Sequence, residues 1–326
     1  MRVMEATRFG GPEVLVPGEA PDPAAGPGEA VIAVSVADVL FVDTQIRSGF
    51  AAGYFDVKPP YVPGNGVAGE VISVAEGVEP GWAGRRVITH TGERGGEGGY
   101  AEKAVARADR LIPVPGSLGL REAAALLHDG PTALGLAERA QLQPGNWVLV
   151  LGAGGGMGLL LLQLAHAAGA RVIAAARGRR KLDLALELGA DAVVDYSEPG
   201  WTERVAETTG GAGPDVVFDG VGGQIGRAAF EITASGGQFS AHGAPSGAFT
   251  EIDPQLANQR GITVRGIDQV QFGPADLKRL AERVLSEAAA GRIRPVIGQA
   301  FPLEQAAAAH AAIEARSVIG KTLLLI

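Results

Sequence analysis

The chain has 326 residues and a mass of 33.2 kDa, more than one ordinary hydrophobic core supports, so we expect two domains. Hydrophobic residues make up 46% of the chain and charged residues 20%, a balance that excludes an intrinsically disordered protein. A net charge of −8 argues against nucleic acid as a partner, and the lack of cysteine excludes disulfides, thiolate nucleophiles and cysteine-ligated zinc.

The N-terminal residues 1–6 lack the apolar core of a signal peptide, and no run of about 18 apolar residues occurs in the chain. We therefore expect a cytoplasmic protein without a membrane-spanning segment.

Up to about Pro115 the chain alternates short β-branched runs with glycine and proline turns, which predicts mainly β-structure. The predicted strands of this part are 31–36, 67–74, 86–89 and 100–105. From Asn146 onward the pattern alternates strands and helices, which is typical of a doubly wound parallel sheet. Its six predicted strands are 147–151, 171–176, 192–195, 216–219, 238–241 and 262–267, with helices from Gly156, from about Arg179, and near Trp201 and Ile225.

After this alternation come a charged amphipathic helix at 275–290, an alanine-rich helix at 303–315 and an apolar strand at 321–326. We expect that strand to return to the first domain. The predicted fold class is therefore α/β, with a β-rich domain of residues 1–120 and 275–326 interrupted by a parallel-sheet domain of residues 121–274.

The apolar strand 147–151 leads directly into a glycine-rich segment, 152–158, which opens a helix. Ala153 stands where a dinucleotide-binding fingerprint has its first glycine, and Gly155 and Gly158 hold the other two positions. A tight turn and a backbone without Cβ atoms let a pyrophosphate approach the helix N-terminus. The alternative is a helix that packs closely on a strand for purely structural reasons.

The residues after the second parallel strand decide between the two nicotinamide cofactors. An acid at that point would bind the ribose 2′-hydroxyl, whereas a cation would bind a 2′-phosphate. The segment 176–181 contains no acid and four cations, at Arg177, Arg179, Arg180 and Lys181. It therefore predicts NADPH, and a solvated basic helix start is the alternative.

These motifs resemble the zinc-independent medium-chain dehydrogenase/reductases, specifically the quinone oxidoreductases related to zeta-crystallin. The resemblance rests on segments spread over the whole chain, at 42–49, 61–71, 98–102, 123–133, 152–158, 188–191, 219–223, 309–310 and 320–321. It implies a GroES-like barrel domain with an inserted Rossmann domain, NADPH in the cleft between them, a small quinone or enone substrate, and a homodimer formed by edge pairing of the Rossmann sheets.

The cofactor-binding residues follow from the glycine segment, from the cations and from the resemblance. The predicted set is Thr132, Gly155, Gly156, Met157, Gly158, Arg177, Lys181, Tyr196, Val221, Gly243, Ala244 and Lys321. For Tyr196, a role as a core aromatic is an equal alternative.

Zinc-dependent relatives of this family place Cys, His and Cys around a catalytic metal. This chain has Leu40, Asn65 and His128 at those three positions, and the four cysteines of the structural metal site are also missing, so we expect no metal. Without a Lewis acid, alcohol oxidation is difficult. Hydride transfer to a quinone or an α,β-unsaturated carbonyl needs only hydrogen-bond donors and a proton.

The predicted catalytic residues are His128, Asp43, Gln45 and Asn65. The family usually has Asn where Leu40 stands and Tyr where Gln45 stands, so the substrate class is open at this point. His128 is interpreted either as a proton donor, since an unperturbed imidazole titrates near neutral pH, or as a structural histidine at a helix end. Asp43 is expected near the cleft, where it either contacts substrate or forms an ion pair with Arg47.

The remaining histidines carry weaker hypotheses. His242 either contacts the nicotinamide or, more simply, satisfies local backbone groups, His90 has no recognisable ligand partner, and His166 and His310 are expected to be structural. The loops 50–60, 91–99 and 269–272 are expected to shape the substrate pocket.

The sequence leaves three functions open. The first is an NADPH-dependent quinone or enone reductase. The second is an enoyl reductase that acts on acyl thioesters, and the third is a non-catalytic NADPH-binding sensor or structural protein.

Overall fold

The computed structural model describes residues 1–50, 55–92 and 97–326, and the chain divides into two compact units. The first unit comprises Met1–Gly130 and Leu277–Ile326, and the second comprises Pro131–Asp276. The first predicted division, at 120/121, lies before helix α2 (Leu120–Leu126), whereas the observed division lies after it. Helix α2 belongs to the first unit because four consecutive buried residues, 123–126, pack against the strands of that unit.

The first unit is built mainly from antiparallel strands. These strands are β1 (Arg2–Ala6), β2 (Leu15–Glu19), β3 (Glu29–Val39), β4 (Gly66–Val74), β5 (Arg86–His90), β6 (Lys103–Arg107), β7 (Ile112–Pro113), β14 (Ile297–Pro302) and β15 (Lys321–Leu325). Seven of them form one sheet in the order β14-β15-β3-β4-β5-β7, with β6 paired to β3, while β1 and β2 form a separate hairpin. Strand β15 thus returns to the first domain, as predicted.

Strand β3 is the centre of this sheet because it is long and rich in valine and isoleucine. It pairs antiparallel with β4, β6 and β15, and Asp38 of β3 lies opposite Leu323 of β15. The helices of the unit are α1 (Phe41–Ser48), α2, and α10 (Ala306–Glu314). Helix α1 starts directly after β3, so the carboxyl end of β3 and the first turn of α1 place their side chains close together.

The second unit is a parallel six-stranded sheet in the order β10-β9-β8-β11-β12-β13. The strands are β8 (Trp147–Leu151), β9 (Arg171–Ala176), β10 (Ala192–Asp195), β11 (Val216–Asp219), β12 (Gln238–Ala241) and β13 (Thr263–Arg265). The order of the strands reverses between β8 and β11, which is the switch point at which such sheets bind ligands. All six predicted strands are present, and β13 alone is clearly shorter than predicted.

Helices connect successive strands of this sheet. They are α4 (Gly156–Ala167), α5 (Arg179–Glu187), α6 (Trp201–Thr208), α7 (Gly223–Glu231) and α8 (Pro254–Gln259). Two further helices, α3 (Asp129–Ala140) and α9 (Pro274–Ala289), begin within a few residues of the divisions between the units. The α/β class and the doubly wound topology predicted from the sequence are therefore confirmed.

Each unit has its own core. In the first unit, apolar side chains of β3, β4 and β6 pack with residues of α10. In the second, the central strands β8, β9 and β11 are buried along their length, as expected for a parallel sheet covered on both faces.

Candidate functional site

The glycine segment forms a tight turn between β8 and α4. Gly152 adopts φ +71°, in the left-handed region that favours glycine, and α4 begins at Gly156 as predicted. A Cβ atom on Gly158 would lie 2.5 Å from the carbonyl oxygen of Gly152, so a side chain there cannot fit without moving the turn. The first-turn amides of Gly156, Met157 and Gly158 have no partners within the helix, which suits them to bind an anion.

Lys181 and Tyr196 are two of the predicted cofactor-binding residues, and the structure gives them different contacts. The aliphatic stem of Lys181 covers Gly154, where an added Cβ atom would lie 2.5 Å from the lysine Cδ. Tyr196, which follows β10, is half-buried and packs against the core of the sheet. The structure therefore brings Lys181 next to the glycine turn, while Tyr196 contacts the apolar core of its sheet.

Arg177 is exposed at the end of β9, where a carboxylate would select the other cofactor. Asp195, at the end of β10, accepts a hydrogen bond from the backbone N–H of Gly178 at 2.8 Å. Burial opposes ionisation of Asp195, but hydrogen bonds from Ser197 and Gly178, together with the charge of Arg177, lower its pKa. Asp195 is thus a turn residue whose negative charge Arg177 helps to stabilise.

The loops after β11 and β12 touch each other through their backbones. A Cβ atom on Gly243 would lie 2.5 Å from the carbonyl oxygen of Gly220, so the two loops approach as closely as two glycines permit. Asp219 fixes the first of these loops by accepting hydrogen bonds from the N–H groups of Val221 at 2.9 Å and Gly222 at 2.8 Å. The sequence did not single out Asp219, although an acid that precedes a glycine pair at a strand end is a recognisable turn signal.

His242 follows β12 and is buried. Its Nδ1 lies 2.9 Å from the hydroxyl of Ser240, and burial lowers the pKa of His242 to about 4. These contacts agree with the interpretation that His242 satisfies polar groups at the end of its own strand.

In the first unit, four charged or titratable side chains form one group, which we call the Asp38 cluster: the buried Asp38 and Lys321 and the half-buried His128 and Asp129. Asp38 Oδ2 is 2.9 Å from His128 Nδ1 and 3.4 Å from the ammonium of Lys321. The same ammonium is 3.4 Å from Asp129 Oδ2. Lys321 was predicted on the cofactor side, and its partners here are these two carboxylates.

The other ring nitrogen of His128 is near the surface of this unit. His128 Nε2 is 3.2 Å from Asn65 Oδ1, and Asn65 is exposed. The side chain of His128 is 19% exposed, whereas that of Asp38 is 0% exposed. One edge of the imidazole therefore faces a buried carboxylate, and the opposite edge lies beside an exposed amide.

His90, for which the sequence offered no partner, lies against the same amide. Its Nδ1 is 3.2 Å from Asn65 Oδ1, and its ring packs edge-on against the His128 ring with 4.6 Å between centroids. Burial lowers the pKa of His90 to about 3, so the ring is neutral at ordinary pH. His90, Asn65 and His128, which are distant in the sequence, are thus in contact with one another.

The charges in the Asp38 cluster determine the protonation of His128. Burial disfavours the imidazolium, but the charge and hydrogen bond of Asp38 outweigh it, so the pKa of His128 is raised above its ordinary value. Burial likewise opposes the ionised form of Asp38, but His128 and Lys321 lower the pKa of that carboxyl. The Asp38 carboxylate and the His128 imidazolium therefore stabilise each other's charged forms.

Asp43 belongs to a second buried chain of polar groups. Asp43 Oδ2 accepts hydrogen bonds from the N–H of Leu40 at 2.9 Å and from the hydroxyl of Tyr100 at 3.3 Å. The Tyr100 hydroxyl is also 3.0 Å from His310 Nε2, and burial raises the pKa of Asp43 to about 6. Asp43 therefore caps the first turn of α1 and anchors Tyr100.

Arg47 completes this second chain. It forms an ion pair with Glu314 and donates from Nε to His310 Nδ1 at 3.3 Å. The ion pair between Asp43 and Arg47, one of the two alternatives for Asp43, is not formed, because His310 and Tyr100 connect the two side chains. His310 is structural, as predicted, and burial lowers its pKa to about 3.

The other predicted residues fall outside these two groups. Gln45 is half-buried on α1, and Thr132 is half-buried on α3. The predicted pocket loops 50–60 and 91–99 lie partly outside the described residues, at 51–54 and 93–96. Within the described ranges 1–50, 55–92 and 97–326, no group of three or more His, Cys, Asp or Glu side chains is arranged to hold a metal ion.

A search for membrane-spanning helices among the same residues finds none that combines sufficient length with sufficient hydrophobicity.

Two family models match the chain. Residues 26–116 match the alcohol dehydrogenase GroES-like domain, and residues 156–286 match the zinc-binding dehydrogenase domain. Together with the observed sheets, these matches confirm a GroES-like domain with an inserted Rossmann domain.

Known proteins resemble the chain over its full length. It is 32% identical to a quinone oxidoreductase of Sus scrofa over 331 residues, which cover 100% of this chain and 98% of the pig protein. It is 30% identical to a 2-haloacrylate reductase of Burkholderia sp., over 97% of this chain and 96% of that protein.

A solved structure gives the same result. Escherichia coli quinone oxidoreductase, determined in complex with NADPH, superposes with a TM-score of 0.88 at 29% identity and covers 100% of both chains. The match covers the entire length of the chain, so it includes both the GroES-like and the Rossmann parts. The chain therefore belongs to the quinone oxidoreductase family of the medium-chain dehydrogenase/reductases.

Proposed function

We propose that this protein is an NADPH-dependent reductase of quinones or α,β-unsaturated carbonyl compounds that works without a catalytic metal. The observation that carries the proposal is the position of His128. One ring nitrogen is held by the buried carboxylate of Asp38, and the other lies at an exposed edge beside Asn65. Such a side chain can give a proton to the oxygen of a reduced acceptor.

The second unit has features that fit NADPH. The first-turn amides of α4 suit the pyrophosphate, and the missing side chain at Gly158 keeps the helix close to the turn. Lys181 and Arg177 supply positive charge for the 2′-phosphate at the end of β9, where the sequence has no acid. We assign the remaining contacts to Thr132, Tyr196, Val221, Gly243 and Ala244.

When bound, NADPH supplies the hydride. The protein side of the reaction is then the transfer of one proton. The N–H bond at His128 Nε2 breaks as an O–H bond forms on the acceptor, the electron pair of the N–H bond stays on nitrogen, and water restores the proton afterwards. We propose that Asn65 and Gln45 help to orient the acceptor by hydrogen bonding.

Quinones and activated alkenes suit this arrangement because they are already electrophilic. The oxygen on which negative charge develops needs a hydrogen-bond donor and then a proton, and a cationic imidazole supplies both. The similarity to a quinone oxidoreductase and to a 2-haloacrylate reductase supports an electron-poor double bond as the substrate feature.

We also propose that the protein forms a homodimer through its parallel sheet. Strand β13 is the edge strand, and Val264 within it and Ile267 just after it are 38% and 39% exposed. An exposed edge with apolar side chains favours pairing with a second copy of the same edge.

The test of the function is the loss of reduced-nicotinamide absorbance with a panel of acceptors. The panel contains benzoquinone, naphthoquinone, an alkenal and an acyl thioester, each with NADPH and with NADH, and a secondary alcohol with the oxidised cofactors. We expect NADPH consumption with the quinones or the alkenal. Faster turnover of the thioester would favour the enoyl reductase, and NADPH binding without any turnover would favour a sensor or structural protein.

The role of His128 is tested with two variants. We expect His128→Ala to lose about 10²-fold or more in kcat with naphthoquinone. His166→Ala, a matched change at an exposed histidine of the second unit, keeps wild-type activity. Turnover of His128→Ala that stays near wild type from about pH 5 to pH 9 would remove His128 from the mechanism.

A further inference from the structure

Asp38 is a fully buried carboxylate at the end of β3, beyond the residues that the sequence identified as functional. A buried charge is expensive unless it is paired, and Asp38 is paired through one oxygen only. Oδ2 contacts both His128 and Lys321, whereas Oδ1 is buried and has no hydrogen-bond partner among the described residues. The polar contacts of the Asp38 side chain are thus with His128 and Lys321.

The Asp38 cluster is balanced only when His128 is charged. Asp38 and Asp129 bring two negative charges, and Lys321 brings one positive charge. A neutral His128 would leave one net negative charge in a buried group, whereas an imidazolium cancels it. Burial alone would lower the pKa of Lys321, but Asp129 and Asp38 raise it, so the ammonium stays charged.

Two further titratable groups lie near His128. Burial lowers the pKa of His90 on β5 to about 3, so that ring is neutral at ordinary pH. Burial raises the pKa of Asp43 on α1 to about 6, so Asp43 adds a negative charge above that pH. Lys321 acts against the imidazolium, while Asp38 and Asp43 favour it. The strongest favourable group is the one in direct contact, Asp38.

The contact also fixes which nitrogen faces outward. Because Nδ1 is occupied by the Asp38 carboxylate, the proton that can leave is the one on Nε2, at the edge beside Asn65. A carboxylate that holds one ring nitrogen sets both the orientation and the tautomer of an imidazole. The 2.9 Å contact is in the range of a charge-assisted hydrogen bond.

From this geometry we propose that Asp38 is the positioning residue of a proton-donating dyad: it keeps His128 in the imidazolium form with its Nε2–H outward, while Lys321 is the second cation that Asp38 Oδ2 contacts. The inference rests on the proposed function for its catalytic meaning. When His128 gives its proton to the acceptor oxygen, Asp38 remains ionised. The cluster then carries one net negative charge, which favours uptake of a proton from water by His128.

The first experiment follows His128 directly by NMR, in the full chain without cofactor. The imidazole resonances, assigned with His128→Gln, are titrated in the wild type and in Asp38→Asn. We expect the proton affinity of His128 to fall at least 10-fold in Asp38→Asn, because a neutral amide cannot stabilise the imidazolium. Asp219→Asn, which removes a buried carboxylate of the other unit, leaves the His128 titration unchanged.

A second variant is expected to change the His128 proton affinity in the opposite direction. Lys321→Met removes the positive charge that acts against the imidazolium, so the His128 proton affinity rises. This variant also serves if Asp38→Asn does not fold, and Asp38→Glu, which keeps the charge, retains a titration closer to the wild type. An unchanged titration in Asp38→Asn, or a lower proton affinity in Lys321→Met, overturns the proposal.

The catalytic part is measured separately, as the pH profile of kcat/KM with naphthoquinone. In Asp38→Asn, we expect kcat/KM to decline at a lower pH than in the wild type. The size of this shift matches the loss of His128 proton affinity that NMR gives, while the KM for NADPH is unchanged. A wild type that consumes no NADPH with any acceptor refutes the proposed function, and the NMR titration still tests the dyad. An active wild type whose pH profile is unchanged in Asp38→Asn refutes the positioning role.

Discussion

The raised pKa of Asp43 leads to a specific prediction about stability. Asp43 is fully buried in the first turn of α1, and its Oδ2 accepts hydrogen bonds from Leu40 and Tyr100. In Asp43→Asn the amide oxygen can accept both bonds, so the substitution removes the charge with little change in shape. We expect this variant to be more stable than the wild type at neutral pH.

The magnitude follows from the two pKa values. Burial raises the pKa of Asp43 from 3.8 to about 6, a difference of about two units, which corresponds to about 3 kcal/mol. The folded state binds the proton more tightly than the unfolded state, so folding loses stability as the pH rises from about 4 to about 6. The full cost of the carboxylate is present above pH 6 and absent below pH 4. The gain in Asp43→Asn has the same pH dependence.

Urea denaturation of the wild type and of Asp43→Asn at several pH values tests this prediction. We expect the difference in the free energy of unfolding to grow from near zero at about pH 4 toward about 3 kcal/mol at pH 8. Asp109→Asn is the control, because Asp109 is exposed and its ion pair with Arg107 contributes little. A variant that is less stable than the wild type at pH 8, or a difference that does not vary with pH, refutes the reasoning.

Three further predictions concern the second unit. Alanine at both Arg177 and Lys181 removes the preference for NADPH over NADH in binding titrations, and an unchanged preference contradicts the assignment of these cations to the 2′-phosphate. Gly158→Val destabilises the protein by about 1–3 kcal/mol and abolishes the thermal shift that NADPH causes, since its Cβ would lie 2.5 Å from the Gly152 oxygen. If the proposed dimer forms through β13, Val264→Lys lowers the mass in light scattering from that of a dimer to that of a monomer, and a dimer mass that is unchanged places the interface elsewhere.

Local patterns predicted the second unit well. Strands β8, β9, β10, β11 and β12 have the predicted bounds, and α4 begins at the predicted Gly156, because a buried parallel strand is a continuous apolar run bounded by turn residues. The first unit was predicted less completely. The hairpin of β1 and β2 was missed, because Pro17 and Gly18 within β2 interrupt its apolar pattern.

Only part of the candidate site was predicted from the sequence. His128 and Asn65 were identified from their positions in the family pattern, but Asp38 and His90 were not, because their roles come from contacts with residues far away in the sequence. Asp38 and Lys321 are 283 positions apart and meet only because β15 pairs with β3. No periodicity or spacing in a single sequence encodes such a contact.

The pairing of β15 with β3 also has a consequence for the order of events during synthesis. A ribosome completes residues 131–276, which contain every strand of the parallel sheet, before it makes β15. Until then residues 36–39 of β3 lack the strand β15 that pairs with them, and Asp38 lacks the ammonium of Lys321. The nascent chain can therefore complete its parallel-sheet unit first. The antiparallel unit, whose synthesis starts earlier, is completed later, as expected for a domain that encloses another in sequence.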